Sequence, residues 1–112
     1  KPQGLISMAN FAPIQYKEPY PVAQQTATFL REHRHCDLVI CLSHMGTYPS
    51  SEDDFCDVEM VEQTRDIDLV IGGHTHTVYD SLRVNNKDGK SIPIVQAGKA
   101  GAQVGKIVLT FE

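Results

Sequence analysis

Three of the five histidines follow apolar segments of the chain, where loops at the ends of buried strands are expected. His44 comes shortly after the apolar segment 37–42, and His74 and His76 follow a second such segment, 68–71. In open α/β sheets, ligands gather beyond the carboxyl ends of the strands, so two such loops can converge on one point. Neutral imidazole is a common ligand of zinc, manganese, iron and nickel. The pattern therefore predicts a metal site formed by His44, His74 and His76.

The spacing of His74 and His76 indicates how the two rings are used. Side chains two positions apart in an extended chain point to the same side. Where the strand bends into a loop, the two rings can diverge slightly and reach two neighbouring metal ions. Gly72 and Gly73 permit unusual backbone dihedrals and a close approach of backbone or ligand, and Gly46 is expected to do the same in the first loop.

The alternative for each of these residues is a loop histidine without a ligand. His33 and His35 illustrate it, because they share the two-residue spacing but lie at a predicted helix end, where it directs rings to different faces. We interpret that pair as solvated or as compensating the helix dipole. An HxH sequence after two glycines, with a further histidine ending another strand, favours the metal site instead. The segment 96–98 follows another predicted strand, at 91–95, and is expected near the same region.

A helix is predicted before the first apolar segment. Pro21 fits the first turn of a helix, where the missing N–H costs nothing. The basic segment 31–35 suits the helix C-terminus, where the macrodipole favours cations. The predicted apolar face, by helical periodicity, consists of Val22, Thr26, Phe29 and Leu30.

The apolar segments themselves are nearly continuous, which is typical of strands covered on both faces, as in parallel sheets. They are segments 37–42 and 68–71, and a short helix around 56–64 is predicted between them. Ser51, followed three residues later by Asp54, resembles a capping box before that helix. The repeated order of helix, apolar strand and loop favours an α/β fold.

The later part of the chain changes character. Segments 78–84 and 91–95 flank the sequence NNKDG at 85–89, which is a strong hairpin-turn signal. Alternating residues predict a final strand at 105–111, and a short apolar run lies near the start of the chain, at 4–8. We predict one α/β domain with a mixed sheet, in which a parallel section is followed by antiparallel strands.

Composition excludes several classes of protein. The 112 residues suffice for one domain, and 41% hydrophobic with 21% charged residues is ordinary globular composition. A net charge of −4 and the lack of a basic stripe with interleaved aromatics argue against a nucleic-acid polymer as partner. No segment has the roughly 18 consecutive apolar residues of a membrane span. The three cysteines lack CxxC spacing, so we interpret them as small buried hydrophobes rather than a zinc ribbon, with a disulfide left open.

Two motifs resemble a known family. Segment 42–46, LSHMG, resembles the LSHxG segment of the 5'-nucleotidase branch of the calcineurin-like metallophosphoesterases, and segment 68–77, DLVIGGHTHT, resembles that branch's DxxxGGHTHT segment. Segments 93–98 and 104–107 are similar to the strand pair that closes its catalytic domain. The match spans nearly the whole chain in the right order, and the two histidine motifs together are a specific pair.

The resemblance implies a role for each predicted ligand. His44 and His74 would bind one metal ion, and His76 would bind the other. The implied fold is an αββα sandwich, two mixed sheets flanked by helices. Two divalent ions, among Zn, Mn, Fe, Mg or Ca, would hold a bridging hydroxide that attacks phosphorus in a nucleotide or other phosphate ester. Nucleoside monophosphates, cyclic nucleotides and nucleotide sugars stay open as substrates, and the family is often periplasmic, at the cell surface or secreted.

The chain departs from the family by what it does not contain. The upstream motifs DxH, GDxxD and GNH(D/E), which supply the aspartates, the bridging carboxylate and the catalytic His-Asp pair, occur nowhere, and neither does the nucleoside-binding domain. The chain also begins without a methionine. We therefore expect the C-terminal half of a catalytic domain, with little activity and weak metal binding in isolation. Half a sandwich exposes a sheet edge or face, so self-association is expected.

Two further hypotheses compete with an enzyme fragment. One is a non-catalytic metal-binding or assembly module derived from the same fold, which a gene starting close to Lys1 would support. The other is an α/β domain with incidental histidines, which unchanged metal content after removal of His44 or His74 would support.

Overall fold

The described residues form two helices, each followed by a short strand, and then a hairpin of two longer strands. The computed structural model describes residues 14–112, so the apolar run predicted at 4–8 lies outside the described residues. The elements are α1 (Pro19–Glu32), β1 (Ile40–Leu42), α2 (Asp57–Gln63), β2 (Leu69–Ile71), β3 (Val78–Asn85) and β4 (Ser91–Ala97). None of the helices within the described range is long and apolar enough to cross a membrane.

The four strands form one mixed sheet in the order β1-β2-β4-β3. β1 pairs with β2 and β2 pairs with β4 in parallel, whereas β3 and β4 form an antiparallel hairpin. The hairpin turn follows the sequence signal: the Asn86 side-chain oxygen accepts the N–H groups of Asp88 and Lys90, and Gly89 adopts a φ of 77°. The predicted α/β fold with a mixed parallel and antiparallel sheet is confirmed.

The core lies between one face of the sheet and the two helices. Val70 of β2 and Ile92 and Ile94 of β4 pack there against Met60 and Val61 of α2, and all five are buried. Alternation along β4 explains the selection, because every second residue of a strand points to the same face.

The first described helix packs through a face that shares only Leu30 with the predicted one. Val22 and Phe29 are exposed, and Thr26 is exposed as well. The buried contacts are made by Tyr20 and Ala27, with Ala23 and Leu30 packed beside them. Small alanines let the helix approach closely, and the Tyr20 hydroxyl accepts the Cys56 N–H at 2.8 Å and donates to Glu59 at 2.9 Å. The prediction is wrong for Val22, Thr26 and Phe29, because it overlooked the alanines that make the close contact.

Asp68 ties this helix to the sheet. Its carboxylate accepts hydrogen bonds from the Val39 N–H at 2.9 Å and from Lys90 at 2.8 Å, and forms an ion pair with Arg31. Burial raises the pKa of Asp68, but the Lys90 and Val39 hydrogen bonds and the Arg31 charge outweigh it and hold that pKa below its ordinary value. Asp68 therefore connects α1, the residue before β1 and the hairpin through charged hydrogen bonds.

The second face of the sheet is left uncovered at β1, whereas the apolar sequence pattern predicted strands covered on both faces. In β1, Ile40 is 41% exposed and Leu42 is 79% exposed, although the apolar run indicated burial on both faces. Segment 103–109 runs along this face, and a cavity of about 680 Å³ lies between the segment and the sheet. A second layer that would bury these side chains is therefore not among the described elements.

Two local predictions are wrong. Residues 105–111 form no strand, because they pair with no strand of the described sheet, and a strand requires a partner for its backbone groups. The capping box is also wrong: Asp54 closes a turn on Ser51, whereas Cys56 is the N-cap of α2 and its sulfur accepts the Glu59 N–H at 3.5 Å. The three cysteines are free, and Cys56 is buried.

Candidate metal site

The two histidine loops begin side by side at the carboxyl ends of the parallel strands β1 and β2. The Ser43 N–H donates to the Ile71 carbonyl at 2.9 Å, and the Gly72 N–H donates to the Val95 carbonyl at 2.8 Å. These bonds continue the parallel pairing beyond the last residues of β1 and β2. The loops that follow therefore leave the sheet at the same level, as the sequence predicted.

The structure brings two of the three predicted ligands together. The rings of His44 and His74 lie 5.4 Å apart between centroids and meet edge to face at 70°. His76 is placed in the same loop as His74, and no ring contact joins it to either partner. Among residues 14–112, no group of three or more His, Cys, Asp or Glu side chains is arranged to hold a metal ion.

Gly72 and Gly73 each leave room for the side chain of a different residue. A Cβ on Gly72 would lie 2.5 Å from Oδ2 of Asp57, and a Cβ on Gly73 would lie 2.7 Å from Nδ1 of His44. The expected close approach is therefore made by side chains of the first loop and of α2. The expected unusual dihedrals are located differently, because the positive φ angles fall on His74, at 87°, and His76, at 56°.

Gly46 behaves as expected in the first loop. Its φ is 91°, a conformation that side chains rarely adopt, and a Cβ there would lie 3.0 Å from Thr75 Cγ2 and 3.6 Å from the His74 ring. The first loop thus packs closely on the second at a point where only a glycine fits.

Gln96 holds the second loop in this strained conformation. It is 4% exposed at the end of β4, and its hydrogen-bond partners fix the orientation of its amide. The amide oxygen accepts the N–H groups of His76 at 3.0 Å and Thr77 at 2.9 Å, and the amide nitrogen donates to the Gly73 carbonyl at 3.2 Å. The expectation that segment 96–98 lies near the histidines is confirmed. The hydrogen bonds from the Gln96 amide to the second loop were not predicted.

Asp57 is the residue that sequence reasoning missed. It is the first residue of α2, fully buried, and its Oδ1 accepts a hydrogen bond from the Ser43 hydroxyl. Its N–H donates to the Gly46 carbonyl at 2.8 Å, while Oδ2 is buried with no hydrogen-bond partner among the described residues. Burial raises the pKa of Asp57, and the Ser43 hydrogen bond and the charge of His44 lower it without cancelling that effect. The pattern offered no signal, because an acidic residue in the first turn is common in helices.

The remaining histidines agree with their solvated interpretation. His33 and His35 are exposed at the end of α1, and His33 stacks on Phe29 with centroids 5.4 Å apart. His44, His74 and His76 are exposed as well, but they lie together in the two histidine loops, which form one loop cluster. Gln96 holds the second of these loops by hydrogen bonds. Two neighbouring imidazoles accessible to solvent fit a divalent cation that prefers nitrogen ligands. Their assignment as metal ligands stays a prediction.

The chain belongs to the calcineurin-like phosphoesterase family, whose model matches residues 3–78. Within the family, the predicted resemblance to the 5'-nucleotidase branch is confirmed. The chain is 30% identical, over 88% of its length, to the trifunctional nucleotide phosphoesterase protein YfkN of Bacillus subtilis (strain 168). It is 36% identical over 97% of its length to an apyrase of Tabanus yao, and 26% identical over 90% to the protein UshA of Yersinia enterocolitica.

A solved structure supports the same placement. A 5'-nucleotidase precursor from Thermus thermophilus is similar over 74% of this chain, with a TM-score of 0.60 and 25% identity. The chain spans only 6% to 22% of the length of the curated relatives and 17% of that structure. The activities of those whole proteins therefore enter below only as proposals.

Proposed function

We propose that this chain is the C-terminal half of the catalytic domain of a metal-dependent phosphohydrolase that acts on nucleotides. The observation that carries the proposal is the pairing of His44 and His74, whose rings lie 5.4 Å apart across two strand-end loops. Parallel strands place these loops at the same edge of the sheet, where α/β proteins bind ligands. The relatives support a nucleotide as substrate, since two of them are named a nucleotide phosphoesterase and an apyrase.

Each histidine has a proposed role in holding two divalent ions. His44 and His74 would bind one ion, and His76, whose ring does not contact theirs, would bind the other. Gln96 would keep His76 in place through its backbone N–H, and Gly73 would leave room for the His44 ring. Divalent ions at such sites neutralise charge on phosphoryl oxygens and make water a better nucleophile at neutral pH.

The isolated 112-residue chain is proposed to be inactive or nearly so. Three imidazoles lack the carboxylates that bind and bridge two ions, and the described residues contain no three-ligand group. A phosphatase assay of the isolated chain with added Mn²⁺ or Zn²⁺ checks this, with a nucleoside monophosphate as substrate. Turnover comparable to that of the full-length protein would refute it.

The metal assignment is tested in the full-length protein. His44→Ala and His74→Ala are expected to weaken Mn²⁺ binding by at least about 10- to 100-fold, the loss seen when even supporting groups around a metal are removed. His35→Ala is the matched control, because His35 is an exposed histidine outside the loop cluster. Isothermal titration with Mn²⁺ measures the affinities. Unchanged binding in both site variants would favour an α/β domain with incidental histidines.

A further inference from the structure

A fully buried carboxylate contacts both histidine loops. Asp57 has no exposed surface, and one of its oxygens, Oδ1, accepts the hydroxyl hydrogen of Ser43, the residue before His44. The Asp57 N–H also donates to the carbonyl of Gly46, two residues after His44. Both sides of His44 are therefore fastened to the first residue of α2.

The second carboxylate oxygen lies against the other loop. Oδ2 of Asp57 is buried without a hydrogen-bond partner among residues 14–112, and it packs on Gly72, where a Cβ would approach it to 2.5 Å. Gly72 is two residues before His74. Asp57 thus contacts the loop of each member of the His44–His74 pair, through hydrogen bonds on the first loop and through packing on the second.

Burying the Asp57 carboxylate lowers the stability of the fold, so stability alone does not explain why an aspartate stands here. A buried oxygen without a partner destabilises the fold, because it has given up its hydrogen bonds to water. Asp57 nevertheless occupies a point where an apolar residue of similar size would fill the space without that cost. Its Oδ1 is the partner that fixes the Ser43 hydroxyl, and an apolar replacement would lose this contact.

We propose that Asp57 is a positioning residue that sets the distance between His44 and His74 by holding the two loops against each other. This inference rests on the proposed function, because the distance between the two imidazoles matters only if they bind one ion. Asp57 does not itself touch the ion or the substrate in this proposal. It acts through Ser43 on one loop and through packing on Gly72 on the other.

The first experiment measures Mn²⁺ affinity by isothermal titration in the full-length protein. Asp57→Ala and Ser43→Ala are each expected to weaken binding by about 10- to 100-fold, as for other groups that orient metal ligands. Asp57→Asn keeps the shape and the oxygen that Ser43 contacts, so its affinity is expected within about threefold of wild type. Asp53→Asn, an exposed carboxylate in the preceding loop, is the control and should change nothing.

A double-mutant cycle tests the contact with Gly72. Gly72→Ala alone is expected to weaken Mn²⁺ binding by about tenfold or more, because its methyl group displaces Oδ2 and the loop with it. In the Asp57→Ala background the obstruction is gone, so the same substitution should cost about threefold or less. Additive losses in this cycle would contradict the proposal.

The outcomes separate a positioning role from a merely structural one. If Asp57→Ala and Ser43→Ala lower the melting temperature but leave the Mn²⁺ affinity of the folded protein unchanged, the positioning role is refuted. If Asp57→Ala does not fold, Ser43→Ala decides the first experiment, and the shorter polar residue of Asp57→Ser replaces alanine in the cycle. If His44→Ala also fails to alter Mn²⁺ binding, the proposed function has failed instead.

Discussion

Replacing Gln96 with leucine is expected to release the loop that carries His74 and His76. Leucine fills a similar volume at this buried position, so the change mainly removes the amide. The backbone N–H groups of His76 and Thr77 and the carbonyl of Gly73 then lose their partner, at distances of 2.9–3.2 Å in the native protein.

The size of the effect follows from a comparison of two contributions. Each lost hydrogen bond is worth about 1 kcal/mol net, so three of them stabilise the native loop by about 3 kcal/mol. His74 and His76 have φ angles of 87° and 56°, and a left-handed conformation costs a residue with a side chain roughly 1–2 kcal/mol. The free energy of the Gln96 hydrogen bonds and the backbone strain at His74 and His76 are therefore of similar size. Without these hydrogen bonds the loop is expected to relax.

Two measurements check this expectation in the full-length protein. Chemical denaturation should give a free energy of unfolding lower by at most about 3 kcal/mol, because relief of the strain in the relaxed loop and its hydration offset part of the lost hydrogen bonds. Isothermal titration should give an Mn²⁺ affinity at least about tenfold weaker, as expected when a group that orients ligands is lost. Gln25→Leu, at an exposed glutamine of α1, is the control. Wild-type stability together with wild-type affinity in Gln96→Leu would refute the reasoning.

Three other predictions concern different parts of the chain. Gly73→Ala should weaken Mn²⁺ binding in titrations, because the new Cβ would lie 2.7 Å from the His44 ring nitrogen. The lowered pKa of Asp68 stabilises the fold above its ordinary value, so this stabilisation should be lost as pH falls below about 4, and Asp68→Asn should flatten that acid limb in denaturation experiments. Leu42→Lys should reduce self-association of the isolated chain in light scattering, because Leu42 is 79% exposed on an edge strand and lysine there discourages pairing.

Each of these has a matched control and a contrary outcome. Gly105→Ala adds a Cβ at an ordinary 3.8 Å contact, and equal effects at both glycines would remove the steric explanation. Asp88→Asn removes an exposed carboxylate, and an identical pH profile for the two aspartate variants would contradict the role of Asp68. A monomeric wild-type chain would refute the expectation of self-association.

The sequence predicted the elements that carry local signals. The apolar run before Gly72, the turn at 85–89 and the short helix after Phe55 are written in adjacent residues, and the structure has all three. The meeting of His44 and His74 was also predictable, because parallel strands bring their carboxyl ends to one edge.

The errors arise where a contact between distant residues decides the outcome. The buried face of α1 depends on small alanines such as Ala27, which a pattern of large apolar residues overlooks. The segment 105–111 alternates like a strand, but alternation does not supply a pairing partner. The roles of Gln96 and Asp57 depend on hydrogen bonds to residues 11 to 23 positions away, which no local spacing indicates.

The two adjacent glycines have a consequence for how sequences of this family can vary. Gly72 is constrained by the side chain at position 57, whereas Gly73 is constrained by the ring at position 44. Relatives that carry alanine at the first glycine should therefore carry a shorter residue in place of Asp57 and keep the histidine. Relatives that carry alanine at the second should have lost the histidine itself. Each of the two glycines is therefore expected to covary with its own partner, independently of the other.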